Sequence, residues 1–129
     1  LDVRLVPLRD SWHRRTYPSV EAIARLDPLP TAVFALDDDY ARALIARLAR
    51  LRLRVPEEVS VFSGETHRDG FQSAPALTGL ELNIGKYFTA LFNAFIDRIE
   101  RGEPAREIVM EPFKVELIER ESCAPPRSA

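Results

Sequence analysis

Three consecutive aspartates, Asp37 to Asp39, are the residues whose type and position best suit chemistry in this chain. They follow directly on the apolar run Ala32 to Leu36, which has no helical period and predicts a strand buried on both faces of a parallel sheet. Ligands of open α/β sheets bind beyond the carboxyl ends of the strands, where carboxylates can accept hydrogen bonds from hydroxyl or cationic donors. The alternative interpretation is structural, because the same residues can cap the following helix and offset its dipole.

No enzyme motif is complete in the chain. Asp37 and Asp39 have the spacing of the paired aspartates in haloacid-dehalogenase-type phosphotransferases, but Ala41 stands where that motif requires threonine. A metal-dependent receiver domain needs an aspartate at the end of a further strand, and none is suitably placed. His13 and His67 have no cysteine partners and no H-E-x-x-H frame. The sequence therefore predicts no enzyme activity, no cofactor and no metal ion.

The aspartates lie inside a βαβ unit that spans residues 30 to 63. Apolar residues recur at helical spacing after the aspartates, arginines gather near the end of the helix, and Pro56 closes the pattern. The predicted return strand is Val59 to Phe62. A strand at Val3 to Val6 and a helix around Val20 form a second such unit upstream. Three parallel strands with intervening helices predict a doubly wound, mainly parallel α/β fold.

The second half of the chain contains one strong predicted helix, Ile84 to Arg101, with Gly102 as its stop. Seven apolar residues, three of them phenylalanines, recur along one side of this helix. Such a stripe typically packs in a core, and the alternatives are a subunit contact or a surface left bare by missing chain. Ile108 to Met110 and Val115 to Ile118 alternate apolar and polar residues and are predicted edge strands.

The chain resembles the C-terminal half of the effector-binding region in the LacI/GalR family of bacterial transcription regulators. The resemblance rests on PTAVFALDD and VPEEVSVF at the two ends of the βαβ unit, on Pro75, Leu77 and Thr78, and on VELIERES at residues 115 to 122. It covers almost the whole chain. It implies the periplasmic-binding-protein type I fold, here the C-terminal subdomain with its crossover elements.

The resemblance implies that Trp12, Asp37, Asp38 and Glu65 bind the ligand. Asp37 stands where the family usually has an asparagine that contacts effector hydroxyls, and Asp38 matches the aspartate after it. Trp12 falls where the family often has an aromatic ring, whose face suits the C–H face of a sugar, although a core role is the alternative. Glu65 matches the first acidic residue of a G-[FY]-D-D turn, whereas Leu82 replaces a glutamine that commonly touches effector. These departures predict a reshaped pocket.

The resemblance also implies a homodimer. In the family, the helix after the aspartates and a downstream loop contribute to the subunit interface. The matching positions here are Arg42, Ala46, Phe71, Gln72, Ser73 and Ala74. The arginines of this helix could instead contact nucleic acid, but without interleaved aromatic residues a solvated face is the better interpretation.

Composition limits the classes of function. The formal net charge of -2 gives no basic field for nonspecific binding to nucleic acid or membrane. No apolar run approaches the roughly 20 residues of a membrane span, and the single cysteine, Cys123, excludes an intrachain disulfide. The chain begins at Leu1 on a predicted strand, so we expect a fragment: residues 1–123 form the effector-binding and dimerisation part, residues 124–129 a flexible tail, and the DNA-binding domain lies elsewhere.

The sequence therefore predicts the effector-sensing and dimerisation module of a cytoplasmic LacI-type regulator. A small-molecule effector, a sugar or related polyol, would change the affinity for operator DNA by favouring one of two hinge states. The alternative is the solute-binding protein of a sugar ABC transporter, which shares the fold. We expect Val3 to Val6, Ala32 to Leu36 and Val59 to Phe62 to be neighbouring parallel strands. We also expect Trp12, Asp37 and Glu65 to line one cleft.

Overall fold

The computed structural model describes residues 3–4, 18–66, 73–102 and 114–125. Within these ranges the chain forms three helices and four strands. The elements in chain order are α1 (Pro18–Ile23), β1 (Ala32–Ala35), α2 (Asp38–Arg50), β2 (Ser60–Ser63), β3 (Thr78–Glu81), α3 (Ile84–Glu100) and β4 (Glu116–Ile118). None of the described helices is long and apolar enough to cross a membrane.

The four strands form one sheet in the order β1-β2-β3-β4. The first three are parallel, with Ala35 of β1 opposite Ser63 of β2, and Ser63 opposite Gly79 of β3. β4 runs antiparallel to β3 and pairs Leu117 with Leu80. The predicted α/β fold with a mainly parallel sheet is confirmed.

The strand predictions agree with the structure to different degrees. β1 ends one residue before the predicted Leu36, and β2 lies one residue later than predicted. Val3 and Arg4 are not in a strand, so this part of the predicted first strand is wrong, and Leu5 and Val6 lie outside the described residues. The predicted strand Ile108 to Met110 also lies outside them. β4 confirms most of the predicted final strand, whereas β3 was not predicted.

The core lies between α2 and one face of the sheet. The apolar residues of α2 recur every three or four positions, and this side of the helix packs on β1 and β2. Val59, Val61 and Leu77 complete the core from the sheet and are at most 1% exposed. The buried apolar side chains are Val20, Ala35, Tyr40, Ala41, Leu44, Ile45, Leu48, Val59, Val61 and Leu77. Full burial of a side chain of valine or leucine size contributes about 1.5–3 kcal/mol.

The other face of the sheet is open among the described residues. Phe34 is 65% exposed and Leu36 is 57% exposed. The rings of Phe34 and Phe62 stack on each other with their centroids 5.5 Å apart. The prediction that this strand is buried on both faces is therefore wrong for the part of the chain that the structure describes, because only one helical layer covers the sheet.

Helix α3 begins and ends close to the predicted positions. Gly102 follows its end with φ +64°, the left-handed conformation that glycine adopts without steric cost. No residue of α3 is buried, and Phe88, Phe92 and Phe95 are 50%, 62% and 52% exposed. The prediction of a core face is wrong here: the stripe is apolar, but no described element covers it.

Ala124, the first residue of the predicted flexible tail, makes two hydrogen bonds with Ser60. The backbone N–H of Ala124 donates to Ser60 Oγ at 3.2 Å, and the carbonyl of Ala124 accepts from the same hydroxyl at 3.4 Å. Residues 126–129 lie outside the described residues. Ala124 therefore contacts β2, and the flexible tail stays a prediction.

Candidate functional site

The carboxyl ends of β1, β2 and β3 lie at one edge of the sheet, because the three strands are parallel. Asp37 comes two residues after Ala35, and Glu65 comes two residues after Ser63. Since Ala35 and Ser63 are partners in the register, Asp37 and Glu65 follow neighbouring strand ends at the same edge. This part of the prediction from the sequence is confirmed.

A cleft of about 260 Å³ opens at this edge, between the ends of β2 and β3 and the start of α3. Its lining residues are Glu65, Thr66, Glu81, Leu82, Asn83, Ile84, Gly85 and Lys86. Two carboxyl groups, an amide and one ammonium group therefore belong to the lining of a space near the lower limit of small-molecule pockets, which is about 300 Å³, whereas the hydroxyl of Thr66 is buried. The two carboxylates can only accept hydrogen bonds when ionised, so the cleft suits a ligand rich in donors.

The main chain on both sides of Glu65 is held by hydrogen bonds. The buried hydroxyl of Ser63 donates to the carbonyl of Glu65 at 2.9 Å. The backbone N–H of Gly64 donates to the carbonyl of Ala35 at 2.7 Å, and that of Thr66 donates to Leu80 at 2.8 Å. The segment that carries Glu65 is thus tied to β1 and to β3.

Gly79 allows β3 to approach this segment closely. A Cβ atom at position 79 would lie 2.5 Å from the carbonyl oxygen of Ser63 and 3.1 Å from Cβ of Thr66. The first distance is shorter than any van der Waals contact allows, so a larger residue would push β3 away from the end of β2. Glycine at this position therefore allows β3 to lie close to the end of β2, where the cleft is formed.

A buried chain of polar side chains lies next to the cleft. The hydroxyl of Thr66, which is 0% exposed, donates to Oδ2 of the buried Asp38 at 3.2 Å. The Nη1 group of Arg120 donates to the same hydroxyl at 3.3 Å and to the carbonyl of Leu77 at 2.8 Å. We call Asp38, Thr66 and Arg120 the buried relay. It joins the start of α2, the segment after β2 and the segment after β4.

The three aspartates have three different environments. Asp37 caps α2, and its Oδ1 accepts from the backbone N–H of Tyr40 at 3.0 Å. Asp38 is buried in the relay, with Arg42 Nη1 3.8 Å from its Oδ2. Asp39 is exposed and pairs with Arg42 at 2.9 Å. The structural interpretation therefore holds for Asp37 as a helix cap.

The four predicted ligand-binding residues are only partly brought together. Glu65 lines the cleft, Asp37 lies at the same sheet edge without lining it, and Asp38 is buried beside it. Trp12 lies outside the described residues. Their role in binding stays a prediction.

The predicted dimer-interface residues are found on two elements. Ala46 lies exposed on α2, and Arg42 is partly exposed and paired with the aspartates. Ala74 is exposed and Ser73 is half-buried, whereas Phe71 and Gln72 lie outside the described residues. The interface also stays a prediction.

Several cleft residues were missed by reasoning from the sequence. Asn83 carries a usable signal, because an asparagine before a helical pattern marks a helix start. It adopts a left-handed backbone with φ 50°, and its side chain makes no capping hydrogen bond. Glu81 and Lys86 belong to no motif, and Thr66 stands where the G-[FY]-D-D turn has its second acidic residue. The contact of Thr66 with Arg120 joins residues 54 positions apart. No local pattern predicts such a contact.

Cys123 lies away from the cleft. Its Sγ is 3.3 Å from the carbonyl oxygen of Val61. Burial raises the pKa of the Cys123 thiol, which outweighs the lowering by hydrogen bonds with Ser122 and Thr78. A thiol kept protonated is a poor nucleophile. Among the described residues there is also no cluster of three histidine, cysteine or acidic side chains that could hold a metal ion.

Comparison with known proteins identifies one domain family and a group of transcriptional repressors that resemble this chain. The sequence profile of the periplasmic binding protein-like domain matches residues 3–123. The transcriptional repressor PurR of Klebsiella pneumoniae is 31% identical over 109 residues, which cover 84% of this chain and 31% of the repressor. PurR of Salmonella paratyphi B is 31% identical over 132 residues, which cover 96% of this chain and 38% of the repressor. The chain thus spans about a third of the length of these relatives.

Two of the solved structures with the same fold are of LacI family regulators. A LacI family regulator from Enterococcus faecium with bound ribose has a TM-score of 0.76 and 26% identity, over 95% of this chain and 44% of that one. A LacI family regulator from Sanguibacter keddieii has a TM-score of 0.72 and 29% identity, over 90% of this chain and 43% of that one. These relatives are transcription regulators and not enzymes, which agrees with the absence of an enzyme motif.

Proposed function

Because this chain belongs to the periplasmic binding protein-like domain family, in the form carried by the LacI/GalR transcription regulators, we propose that it is the effector-sensing part of such a regulator. It binds a small molecule rich in hydrogen-bond donors at the cleft, and the bound ligand changes the affinity of the regulator for operator DNA. In this proposal the regulator is a cytoplasmic homodimer, and a separate part of it contacts the DNA.

The observation that carries the proposal is the position and chemistry of the cleft. It lies beyond the carboxyl ends of parallel strands, where open α/β sheets bind their ligands. The carboxylate of Glu65 can accept from two hydroxyl groups, while Asn83 and Lys86 can donate to the ring or hydroxyl oxygens of a polyol. The ribose bound to the regulator from Enterococcus faecium supports a sugar or related polyol.

The cleft has two walls that a ligand can bridge. Glu65 and Thr66 follow β2, whereas Ile84 to Lys86 form the first turn of α3. A ligand that contacts both walls favours the state in which their separation fits it. Moving a two-state equilibrium from 1:99 to 99:1 takes about 5.5 kcal/mol of differential binding. Hydrogen bonds to charged groups contribute about 1.5–3 kcal/mol each, so a few bonds made in only one state are sufficient.

Calorimetric titration with a graded set of sugars tests the ligand class. We expect ribose to bind, and 2-deoxyribose, which lacks one hydroxyl donor, to bind about tenfold or more weakly than ribose. A melting temperature that rises with ligand concentration is the independent readout. If no sugar or polyol binds, the proposed ligand class is wrong.

Operator binding by the full-length protein separates the proposal from the solute-binding alternative. A regulator should bind a DNA fragment in an electrophoretic shift assay, and the sugar that binds the cleft should change its affinity for this DNA by about 5- to 150-fold, the usual range for allosteric coupling. A solute-binding protein of a transporter would bind the sugar with no effect on DNA. The curated repressors among the relatives favour the first outcome.

A further inference from the structure

We propose that Thr66 and Arg120 are positioning residues of the cleft, which hold Glu65 in place for the ligand through the buried relay with Asp38. This inference rests on the proposed function of the cleft. Both residues lie in segments that carry the family resemblance, but the sequence assigned neither of them a role in the site, and Arg120 does not line the cleft. The contacts that support the inference meet at the hydroxyl group of Thr66.

The hydroxyl of Thr66 acts both as a hydrogen-bond donor and as an acceptor. It has one proton and two acceptor lone pairs. The proton goes to Oδ2 of Asp38 at 3.2 Å, and a lone pair accepts from Nη1 of Arg120 at 3.3 Å. A negative and a positive group are thus joined through a neutral hydroxyl that is 0% exposed. Hydrogen bonds to charged groups in such a buried place are stronger than those between neutral groups.

The contacts of the buried relay hold Thr66 against three parts of the fold. Asp38 is the first residue of α2, and Arg120 follows β4. The backbone N–H of Arg120 donates to Thr78 Oγ1 at 2.9 Å, which ties the same residue to β3. Thr66 itself is bound to β3 through its backbone N–H. The position of Thr66 is therefore set relative to α2, β3 and the segment after β4.

Glu65 is the residue directly before Thr66. The hydroxyl of Ser63 donates to the carbonyl of Glu65 at 2.9 Å. The backbone of Glu65 is thus held directly by Ser63 and, through the next residue of the chain, by the contacts of Thr66, so its carboxylate extends from a defined place in the cleft wall. Loss of the Thr66 hydroxyl should release one of the two constraints and leave the fold of the sheet intact.

Three variants of the full chain test the inference. Thr66→Val keeps the shape of the side chain and removes the hydroxyl, whereas Thr66→Ser keeps the hydroxyl. Thr31→Val is the matched control, because Thr31 is exposed at the opposite, amino-terminal end of β1. The first readout needs no ligand: it is hydrogen exchange at the backbone amides of residues 64 to 66, compared with Val61 in the core of β2.

The inference predicts a local effect. In Thr66→Val, exchange at residues 64 to 66 should become about tenfold faster, as expected for the loss of one hydrogen bond, while Val61 keeps its protection. Thr66→Ser should restore slow exchange, and Thr31→Val should not change it. Unchanged exchange at residues 64 to 66 in Thr66→Val would overturn the inference. Equal acceleration at Val61 would also overturn it, because it would show a general structural role.

Ribose affinity is the second readout. If ribose binds the wild-type chain, Thr66→Val should raise its Kd about tenfold and Thr66→Ser should return it to near the wild-type value. An unchanged Kd in Thr66→Val would contradict a positioning role. If ribose does not bind the wild type, the proposed ligand is wrong, and the exchange measurement alone decides whether the relay positions Glu65.

Discussion

Helices α2 and α3 have the same kind of sequence pattern and opposite surroundings. Both are amphipathic, with apolar residues at helical spacing along one side. Six of the 13 residues of α2 are buried, and none of the 17 residues of α3 is buried. α2 packs on β1 and β2, whereas no described element covers the aromatic side of α3. Periodicity therefore predicts where a helix has an apolar face, but not what covers that face.

The largest expected effect is a difference in stability between substitutions on the apolar sides of the two helices. Leu48→Ala on α2 should lower the free energy of unfolding by about 2–5 kcal/mol, because Leu48 is 0% exposed and its removal leaves a cavity. Phe92→Ala on α3 should cost less than about 1 kcal/mol, since Phe92 is 62% exposed. Urea denaturation at concentrations that keep the chain monomeric measures both. Equal losses would show that α3 is covered in solution.

The second prediction concerns self-association of the chain through the aromatic side of α3. Each phenylalanine of the stripe gains up to about 1.5–3 kcal/mol on full burial, so we expect the isolated chain to form dimers through this face at high concentration. Sedimentation velocity should show this association, and Phe92→Glu should abolish it. Asn93→Glu, on an exposed neighbouring position of α3, is the matched control and should leave it unchanged. A wild-type chain that stays monomeric at high concentration would contradict the prediction.

The two helices also differ at their first residues, because a side chain caps α2 and none caps α3. We therefore expect the residue at the start of α2 to contribute more to the free energy of unfolding. Asp37→Ala removes the acceptor for the backbone N–H of Tyr40 and should cost about 1 kcal/mol in the free energy of unfolding. Asp37→Asn keeps an acceptor oxygen and should cost less. If Asp37→Ala weakens ribose binding as well, Asp37 has both roles. A loss of stability with no change in affinity would leave only the capping role.

The smallest effect is expected at the start of α3. Asn83 makes no capping hydrogen bond with its side chain and has a left-handed backbone, which glycine adopts readily. Asn83→Gly should therefore change the free energy of unfolding by only a few tenths of a kcal/mol, measured as for Asp37→Ala. A loss as large as that of Asp37→Ala would mean that the Asn83 side chain holds the helix start through contacts of its own.

The parts of the fold that were predictable are those with a contiguous pattern. β1, α2 and β2 follow one another in a single βαβ unit, where a short apolar run, a capping residue and a helical period specify each element in turn. The shared sheet edge of Asp37 and Glu65 then follows from the parallel direction of the strands. β3 was not predicted because it includes Gly79, whose strand propensity is low, although it is as long as β1 and β2.

The candidate site was less predictable because it depends on contacts across the chain. Thr66 meets Asp38, 28 positions earlier, and Arg120, 54 positions later. Thr66 and Arg120 lie in segments that carry the family resemblance, but no periodicity or spacing in the sequence shows that these residues meet. Glu81 and Lys86 reach the cleft only because β3 lies beside β2 and α3 starts at its end. Tertiary packing, rather than local sequence, decides which polar residues share the cleft.

The most direct test of the central claim is calorimetric titration of ribose into the wild-type chain and two variants. Glu65→Ala removes a carboxylate from the cleft wall, and Glu100→Ala removes an exposed carboxylate at the far end of α3. We predict that ribose binds the wild type and Glu100→Ala with the same affinity. Its affinity for Glu65→Ala should fall at least about tenfold, because a hydrogen bond to a charged acceptor is lost. Ribose binding that is equal in all three proteins would contradict the assignment of the ligand to this cleft.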